Sequence, residues 1–372
     1  MPSDLRLLPT LIDKPAGFEA LVKDLYRQKR VAVDTESNSL HAYKERVCLI
    51  QFSTMDMDYV LDPLSVKDIS ALGPIFSSPS VEKIFHACEY DIICLRRDYH
   101  FSFASLFDTM QAGRILGRRQ AGLDRLLDEK FGVKMNKRFQ KADWAVRPLS
   151  RDLLLYARLD THYLIPLRDM LQAELEARGL WQLAQEDFRL ACHPNGSKPK
   201  PDAPAWTRFS TRRELTPRDL TVLDSLLTWR DTVAADLDRP PFKVLDDDRL
   251  VEIAAARPST PDELAALGLT TRQVQNWETP ILAAVDQGIK KPPVKRLQPP
   301  RPDDAYLKRL EKLKDWRKKA AAKMDVESDV VLPRSFLLAL AEGGPPEVRP
   351  ILRSSPWRLE HFGDEILKVL GG

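Results

Sequence analysis

The chain has 372 residues, of which 43% are hydrophobic and 30% are charged, and its formal net charge is +3. This length predicts about two or three domains, and no apolar run is long enough to cross a bilayer. The first residues lack the basic and then apolar layout of a secretion signal, so we expect a cytoplasmic protein. The four cysteines form no CxxC pair and are expected to be reduced, buried thiols.

The first part of the chain mixes strand-like and helix-like segments. Short runs rich in β-branched and aromatic residues are typical of strands, namely VAVDT, RVCLIQFST, DYVLDP and EKIFHA. Helical spacing of apolar residues is found in FEALVKDLYRQ and in SRDLLLYARLDTHYLIPLRDMLQAELEARG. Such a mixture predicts an α/β domain.

The strand in VAVDTESNSL carries acids where burial is expected. Side chains alternate between the two faces of a strand, so Asp34 and Glu36 point the same way. Two neighbouring carboxylates repel each other and resist desolvation unless a positive charge lies between them. Taken alone, such a pair is more often a solvated strand end or a helix cap than a metal site.

Further acids are predicted to face inward. Tyr156 and Asp160 are one helical turn apart on a helix that begins after Ser150, so both can reach the same point. Asp91 follows the strand EKIF on an early helical turn. Divalent cations compensate such a group of acids, so we predict a pair of Mg²⁺ or Mn²⁺ ions and nuclease chemistry. Asp108, which precedes a helix, is expected to be an N-cap instead.

Two Pro-rich stretches divide the chain and are predicted to be linkers, at residues 193–208 and 290–303. They separate predicted domains at residues 1–192, 209–289 and 304–372, of which the last two are helical. The second linker is basic, and it either contacts phosphates or only keeps the chain soluble. The final domain is predicted to grip RNA, with docking on the first domain as the alternative.

The two helical domains repeat one pattern of residues. Trp229 and Arg230 align with Trp316 and Arg317, and the same register aligns Asp238 with Asp325. Farther along, Trp277 aligns with Phe362. Shared apolar spacing alone arises by chance in helices, but a shared Trp-Arg pair and a shared Asp in register indicate two copies of one helical module.

The acid-bearing motifs resemble those of a known nuclease superfamily in order and context. VDTE, HACEYD and YARLD resemble the three motifs of DEDD exonucleases in the tyrosine-containing DEDDy branch. NKRFQKADWAVRPLSRDLLLYARLDTHYLIPL resembles the corresponding stretch of the ribonuclease D family, and the repeated module resembles the HRDC domain. This resemblance implies a ribonuclease H-like α/β domain, with a mixed sheet flanked by helices, followed by two all-α HRDC-like domains.

The resemblance also implies an activity and the residues that carry it. It implies a 3′→5′ exoribonuclease that hydrolyses RNA 3′ ends, especially of tRNA precursors, to nucleoside 5′-monophosphates with two divalent metal ions. The implied metal ligands are Asp34, Glu36, Asp91 and Asp160, and Tyr156 would orient the attacking water. We expect a monomer. Candidate RNA contacts are His86, Lys137, Arg138, Lys141 and Trp144.

Two other functions remain open. A DNA 3′→5′ exonuclease would use the same chemistry, because none of these motifs recognises a 2′-hydroxyl. A non-catalytic nucleic-acid-binding protein is the more distant alternative, and it would be expected had a metal ligand been lost. A helicase, in which HRDC domains also occur, is excluded because the sequence contains no GxxxxGK[ST] phosphate loop.

Overall fold

The computed structural model describes residues 7–193, 204–212, 214–296 and 302–371. The strands are β1 (Thr10–Ile12), β2 (Arg30–Ser37), β3 (Val47–Ser53), β4 (Asp58–Leu61), β5 (Glu82–Phe85) and β6 (Leu106–Asp108). The helices that alternate with and follow them are α1 (Pro15–Leu25), α2 (Gly73–Ser77), α3 (Glu89–Tyr99), α4 (Thr109–Ile115), α5 (Leu123–Phe131), α6 (Arg151–His162), α7 (Leu164–Ala177) and α8 (Trp181–Ala191). Among these described residues, no helix is both long and apolar enough to cross a membrane.

The rest of the described chain is helical, as predicted. These helices are α9 (Pro217–Asp236), α10 (Pro241–Val244), α11 (Asp247–Ala256), α12 (Pro261–Ala266), α13 (Thr271–Lys290), α14 (Asp304–Met324), α15 (Ser328–Val331), α16 (Arg334–Gly343), α17 (Val348–Leu352) and α18 (Pro356–Gly371).

The six strands form one mixed sheet in the order β1-β4-β3-β2-β5-β6. β3 is antiparallel to both of its neighbours, and the other adjacent strands are parallel. The α/β prediction is confirmed, and each of the four predicted runs coincides with a strand, namely β2, β3, β4 and β5. β1 was not predicted, because a three-residue strand is too short to show alternation.

Helices cover both faces of the sheet. Val31 and Val33 of β2 belong to a core cluster with residues of α1 and α3, whereas Ala32 belongs to a cluster with residues of α7 and α8. This alternation follows from the period of two along a strand. All four cysteines are free and buried, as expected.

The helical segment predicted from SRDLLLYARLDTHYLIPLRDMLQAELEARG is two helices and not one. Ser150 caps α6 by accepting a hydrogen bond from the backbone nitrogen of Leu153, as expected, but α6 ends at His162 and α7 begins at Leu164. Pro166 has no backbone N–H to donate to the carbonyl of His162, and its ring would clash there in a continuous helix. The chain therefore breaks the helix at Tyr163.

The repeat predicted from sequence is confirmed in three dimensions. In the first module, the rings of Trp229 and Trp277 make an edge-on contact with centroids 6.1 Å apart. In the second, Trp316 and Phe362 make the same kind of contact at 5.5 Å. The aligned aromatic positions thus join the first and last helices of both modules.

The aligned arginines also have the same role in both modules. Arg230 Nη1 donates to the carbonyl oxygen of Leu245 over 2.7 Å, and Arg317 Nη1 donates to that of Leu332 over 3.0 Å. Each arginine closes the turn that follows the short second helix of its module. A repeat in which polar contacts also recur indicates one shared module fold.

The described residues group into two compact units. One contains the sheet domain together with the second helical module, and the other contains the first module with the segment Asn38–Glu45. In the second unit, Tyr43 of this segment donates its hydroxyl to Asp231 of α9 over 2.7 Å. The boundaries drawn from sequence stay a prediction.

Large parts of both predicted linkers, residues 194–203 and 297–301, lie outside the described residues. Of the first linker, Trp206 is buried in the core of the first module. Of the second, Lys291 Nζ lies 3.1 Å from Ser225 Oγ, and Arg296 donates to the carbonyl oxygen of Arg212. These two basic side chains therefore contact the first module.

The second helical module packs on the sheet domain through a buried ion pair. Arg358 of α18 has no exposed surface, and its guanidinium lies 2.7 Å from Asp187 and 3.7 Å from Glu186, both in α8. Trp357 and Val330 join the apolar cluster of α7 and α8. The last module is thus docked on the sheet domain, and its contact with RNA stays a prediction.

Candidate active site

β2 and α6 position the central acids. Asp34 and Glu36 lie on one face of β2, and α6 packs across the neighbouring strand β3, where Thr161 Oγ1 is 2.7 Å from Ser53 Oγ. Because Asp160 precedes Thr161 on α6, its carboxylate is brought over the acids of β2. One carboxylate oxygen from each of Asp34, Glu36 and Asp160 lies within 4.8 Å of the other two.

Burial and mutual repulsion raise the pKa of every acid in this group. Loss of hydration is the largest cause for Asp34 and Glu36, whose pKa values lie well above the usual range, and the charges of Asp91 and Asp160 add to it. Burial, followed by the charge of Asp91, raises the pKa of Asp160 to about 8. The site therefore favours a bound cation.

Asp91 approaches from the other side of β2. It lies in the first turn of α3, whose apolar residues pack with Val31 and Val33, and Thr35 donates its hydroxyl to the Asp91 carboxylate. Burial raises the pKa of Asp91 to about 7. Asp91 is thus close enough to repel the other acids, although its helix α3 packs on the face of the sheet opposite to that of Asp34 and Glu36.

Aromatic side chains hold Tyr156 beside the acids. Its ring centroid lies 5.8 Å from that of Phe139 and 6.0 Å from that of Trp144. Burial and then the charge of Asp160 raise the pKa of Tyr156, and a hydrogen bond from Gln140 opposes this shift. The phenol therefore stays protonated, and it cannot act as a base at neutral pH.

Asp108 fixes the turn that leads to Asp91. It caps α4, as predicted, by accepting from the backbone nitrogens of Met110 and Gln111, and its carboxylate also accepts from those of Ala87 and Cys88 over 3.1 and 2.8 Å. Ala87 has a φ of +65°, a conformation that few non-glycine residues adopt. One side chain thereby stabilises both the start of α4 and the turn between β5 and α3.

His86 lies in the same turn and is held by a threonine. Its Nδ1 is 2.9 Å from the hydroxyl of Thr109, and that hydroxyl donates to the carbonyl oxygen of Phe85. The hydroxyl proton is used, so Nδ1 carries the imidazole proton and Nε2 is left as an acceptor. Burial lowers the pKa of His86, which keeps the ring neutral.

These side chains line a cavity of about 300 Å³. The cavity lies between two of the acids and the region of α5 and the segment after it. Its lining residues are Asp34, His86, Gly122, Leu123, Asp124, Met135, Lys137, Gln140, Tyr156 and Asp160. Lys137 pairs with Asp124 over 2.8 Å at this cavity. The cavity therefore combines carboxylates, a phenol, a neutral imidazole and an ammonium group.

The other candidate RNA contacts have different surroundings. Arg138 lies over the ring of Phe139 at 5.4 Å, and Lys141 is exposed. Trp144 is 1% exposed and packs beside Tyr156, so its place in the structure is that of a support for the tyrosine. Sequence reasoning missed Gln140, which lies inside the quoted NKRFQKADW stretch but shows no charge pattern.

Comparisons with known proteins agree with this arrangement. Residues 9–176 match the 3′-5′ exonuclease family, and residues 219–285 and 307–370 each match the HRDC domain. A ribonuclease D of Gluconacetobacter diazotrophicus is 30% identical over 98% of this chain and 93% of its own length. The chain belongs to the ribonuclease D family.

One further relative and one solved structure are similar to this chain. The exosome complex exonuclease RRP6 of Saccharomyces cerevisiae is 31% identical over 71% of this chain, which spans 38% of the length of that protein. The crystal structure of Escherichia coli RNase D, described as an exoribonuclease involved in structured RNA processing, covers 98% of this chain and is itself covered to 99%. Its TM-score of 0.72 at 23% identity shows a shared fold.

The acids of the site fit a divalent cation. Exonucleases of this family depend on divalent metals, and the clustered donors are carboxylate oxygens, which hard cations such as Mg²⁺ and Mn²⁺ prefer. Asp160 Oδ2 is buried and has no hydrogen-bond partner among the described residues. A buried carboxylate oxygen without a partner is unfavourable, and a bound cation would satisfy it.

Proposed function

We propose that this protein is a 3′→5′ exoribonuclease that releases nucleoside 5′-monophosphates from RNA 3′ ends. The observation that carries the proposal is the approach of Asp34, Glu36 and Asp160 to within 4.8 Å, beside a cavity that Tyr156 also lines. Membership of the ribonuclease D family supports RNA as the substrate.

Two divalent cations, Mg²⁺ or Mn²⁺, would be held by Asp34, Glu36, Asp91 and Asp160. When bound, they supply Lewis-acid activation of a water and offset the negative charge that develops on the phosphodiester. Because the four acids have raised pKa values, protons would compete with the metal for them at low pH. Asp91 would act from the α3 side, where Thr35 fixes its carboxylate.

Neighbouring side chains would act on the substrate and the water. Tyr156 stays protonated and orients the attacking water through its hydroxyl, without taking the proton. His86 Nε2 accepts a hydrogen bond, which suits a ribose hydroxyl at the RNA 3′ end. Lys137 and, outside the cavity, Arg138 and Lys141 would attract the phosphates that follow.

The substrate class that we propose is tRNA precursors, processed by a monomer in the cytoplasm. The resemblance to ribonuclease D supports this choice. A 3′-extended tRNA presents a single-stranded 3′ end, which fits a cavity of about 300 Å³ better than a duplex would.

The test uses purified protein with a 3′-extended tRNA and a DNA oligonucleotide of the same 3′ sequence. Each is incubated with Mg²⁺, with Mn²⁺ or with chelator, and the products are resolved by length. We expect stepwise shortening of the RNA from its 3′ end, with nucleoside 5′-monophosphates released only when metal is present. Equal or faster degradation of the DNA would contradict the assignment as a ribonuclease, and the absence of any hydrolysis would contradict the proposed activity.

A further inference from the structure

Gln51 lies beside the acids, and neither the sequence motifs nor the cavity lining explains it. It is on β3 directly opposite Asp34 of β2 in the antiparallel pair. Directly opposite residues of such a pair share a face of the sheet, with Cβ atoms about 5 Å apart. The amide of Gln51 is therefore on the same face as the Asp34 carboxylate.

The same face of β3 lies under α6. Two residues after Gln51, Ser53 contacts Thr161 of α6 over 2.7 Å. Two residues before it, Leu49 belongs to the buried cluster that contains Tyr156. Gln51 thus lies between the two positions where β3 meets the helix that carries Tyr156 and Asp160.

The side chain of Gln51 is fully buried without hydrogen bonds. Its exposed fraction is 0%, and neither Nε2 nor Oε1 has a partner in the part of the chain that the structure describes. Asp160 Oδ2 is likewise buried and unpartnered. A buried amide that lacks partners is unfavourable relative to an apolar side chain of the same shape. Packing alone would therefore be better served by leucine or methionine.

We propose that Gln51 is a positioning residue for the metal site, and this proposal rests on the proposed function. When the cations are bound, its amide nitrogen would donate to a carboxylate of the acid group, Asp34 or Asp160, and would hold that carboxylate in the orientation in which it binds a divalent cation. Groups that orient ligating carboxylates contribute strongly to metal affinity. In the metal-free protein the acids repel one another, and the amide remains an unfavourable buried group.

The test measures Mn²⁺ binding to the full-length, metal-free protein by calorimetry, without RNA. Gln51→Leu and Gln51→Met both remove the amide and keep an apolar side chain of similar size. We expect each to weaken Mn²⁺ binding about 10- to 100-fold while the melting temperature of the metal-free protein stays equal or rises, because an unsatisfied buried amide is removed. If one variant fails to fold, the other still gives the measurement.

Gln172→Leu is the matched control. Gln172 lies on α7, where it also has an amide oxygen without a partner among the described residues and donates to Glu176. Its substitution should leave Mn²⁺ affinity unchanged. Unchanged affinity in the Gln51 variants, or an equal loss in the control, would overturn the inference.

The inference and the proposed function can fail separately. An inactive wild-type protein that binds Mn²⁺ with an affinity dependent on Gln51 would overturn the proposed function alone. An active wild-type protein whose Mn²⁺ affinity does not depend on Gln51 would overturn this inference alone.

Discussion

Asp160 is a residue whose charge is unfavourable until a cation binds, because burial and the charge of Asp91 raise its pKa to about 8. Asp160→Asn removes a ligand charge and also relieves the repulsion. We expect hydrolysis of RNA to fall by about a thousandfold or more, while the melting temperature of the metal-free protein rises. Near-normal turnover of the variant in Mg²⁺ would contradict the assignment of Asp160 as a ligand.

The same pKa shift predicts how the stability of the metal-free protein depends on pH. The folded protein holds a proton on Asp160 up to about pH 8, whereas the unfolded chain releases it near pH 4. The free energy of unfolding should therefore be highest below the unfolded pKa and should fall as the pH rises towards 8, with a slope of up to about 1.4 kcal/mol per pH unit for one proton.

Urea unfolding in chelator between pH 5 and pH 8 measures this slope. Asp160→Asn should make the slope less steep, because one of the four acids with raised pKa values is removed. Saturating Mg²⁺ should flatten the slope in the wild-type protein, because a bound cation removes the preference for the protonated acids. An equal slope in the wild type and the variant would show that Asp160 does not titrate in this range.

Replacing Tyr156 by phenylalanine tests the role of the hydroxyl beside the acids. Tyr156→Phe should lower kcat by about 10- to 100-fold, because the hydroxyl is proposed to orient a water. The affinity for RNA should change little, because the ring keeps its contacts with Phe139 and Trp144. An unchanged kcat with a reduced melting temperature would assign Tyr156 to the core instead.

At the scale of elements, Asp108 connects the start of α4 to the turn before α3. Asp108→Ala removes the acceptor of four backbone N–H groups. We expect a loss of about 2 to 3 kcal/mol in the free energy of unfolding, because a lost helix cap costs about 1 kcal/mol and buried N–H groups lose their partners as well.

Asp108→Asn is the control for this prediction. It keeps one side-chain oxygen, so it should recover part of the stability, as measured by chemical denaturation. A loss below about 0.5 kcal/mol in Asp108→Ala would show that solvent satisfies these groups.

At the scale of the whole molecule, the buried pair between Arg358 and Asp187 joins the second helical module to the sheet domain. Arg358→Met leaves Asp187 and Glu186 buried without their cation, so we expect a destabilisation of about 3 to 5 kcal/mol. Arg349→Met, which removes a solvent-exposed pair with Asp364 in the same module, should change stability little. Equal melting temperatures for both variants would show that the contact does not hold the module in place.

The two sequence-based alternatives for residues 290–372 predict different results after truncation. If the module only docks, its removal lowers stability and reduces cleavage of tRNA and of a short oligonucleotide in parallel. If it grips RNA, truncation weakens tRNA binding selectively. The slope of the logarithm of the binding constant against the logarithm of the salt concentration then becomes shallower by roughly 0.7 to 0.9 per lost phosphate contact. The buried Arg358 pair supports a loss of stability after truncation, and the salt series tests whether the module also grips RNA.

The sequence by itself determined the local features of this protein. The period of two in VAVDTES placed Asp34 and Glu36 on one face, and the cap at Ser150 with helical spacing placed Tyr156 and Asp160 one turn apart. The recurrence of the Trp-Arg pair revealed the repeated module. Each of these features depends on residues close in the chain, or on a repeated pattern, and both are visible without coordinates.

The family resemblance grouped the four acids, but only the tertiary structure decided which other distant residues meet. Asp91 contacts Thr35 from the opposite face of β2, Gln51 is opposite Asp34 because of the register of β3, and Arg358 reaches Asp187, which lies 171 residues earlier in the chain. Strand register and module docking are set by burial of apolar surface summed over many residues. A local sequence pattern does not show how much apolar surface is buried over the whole fold, so these contacts could not be predicted from the sequence alone.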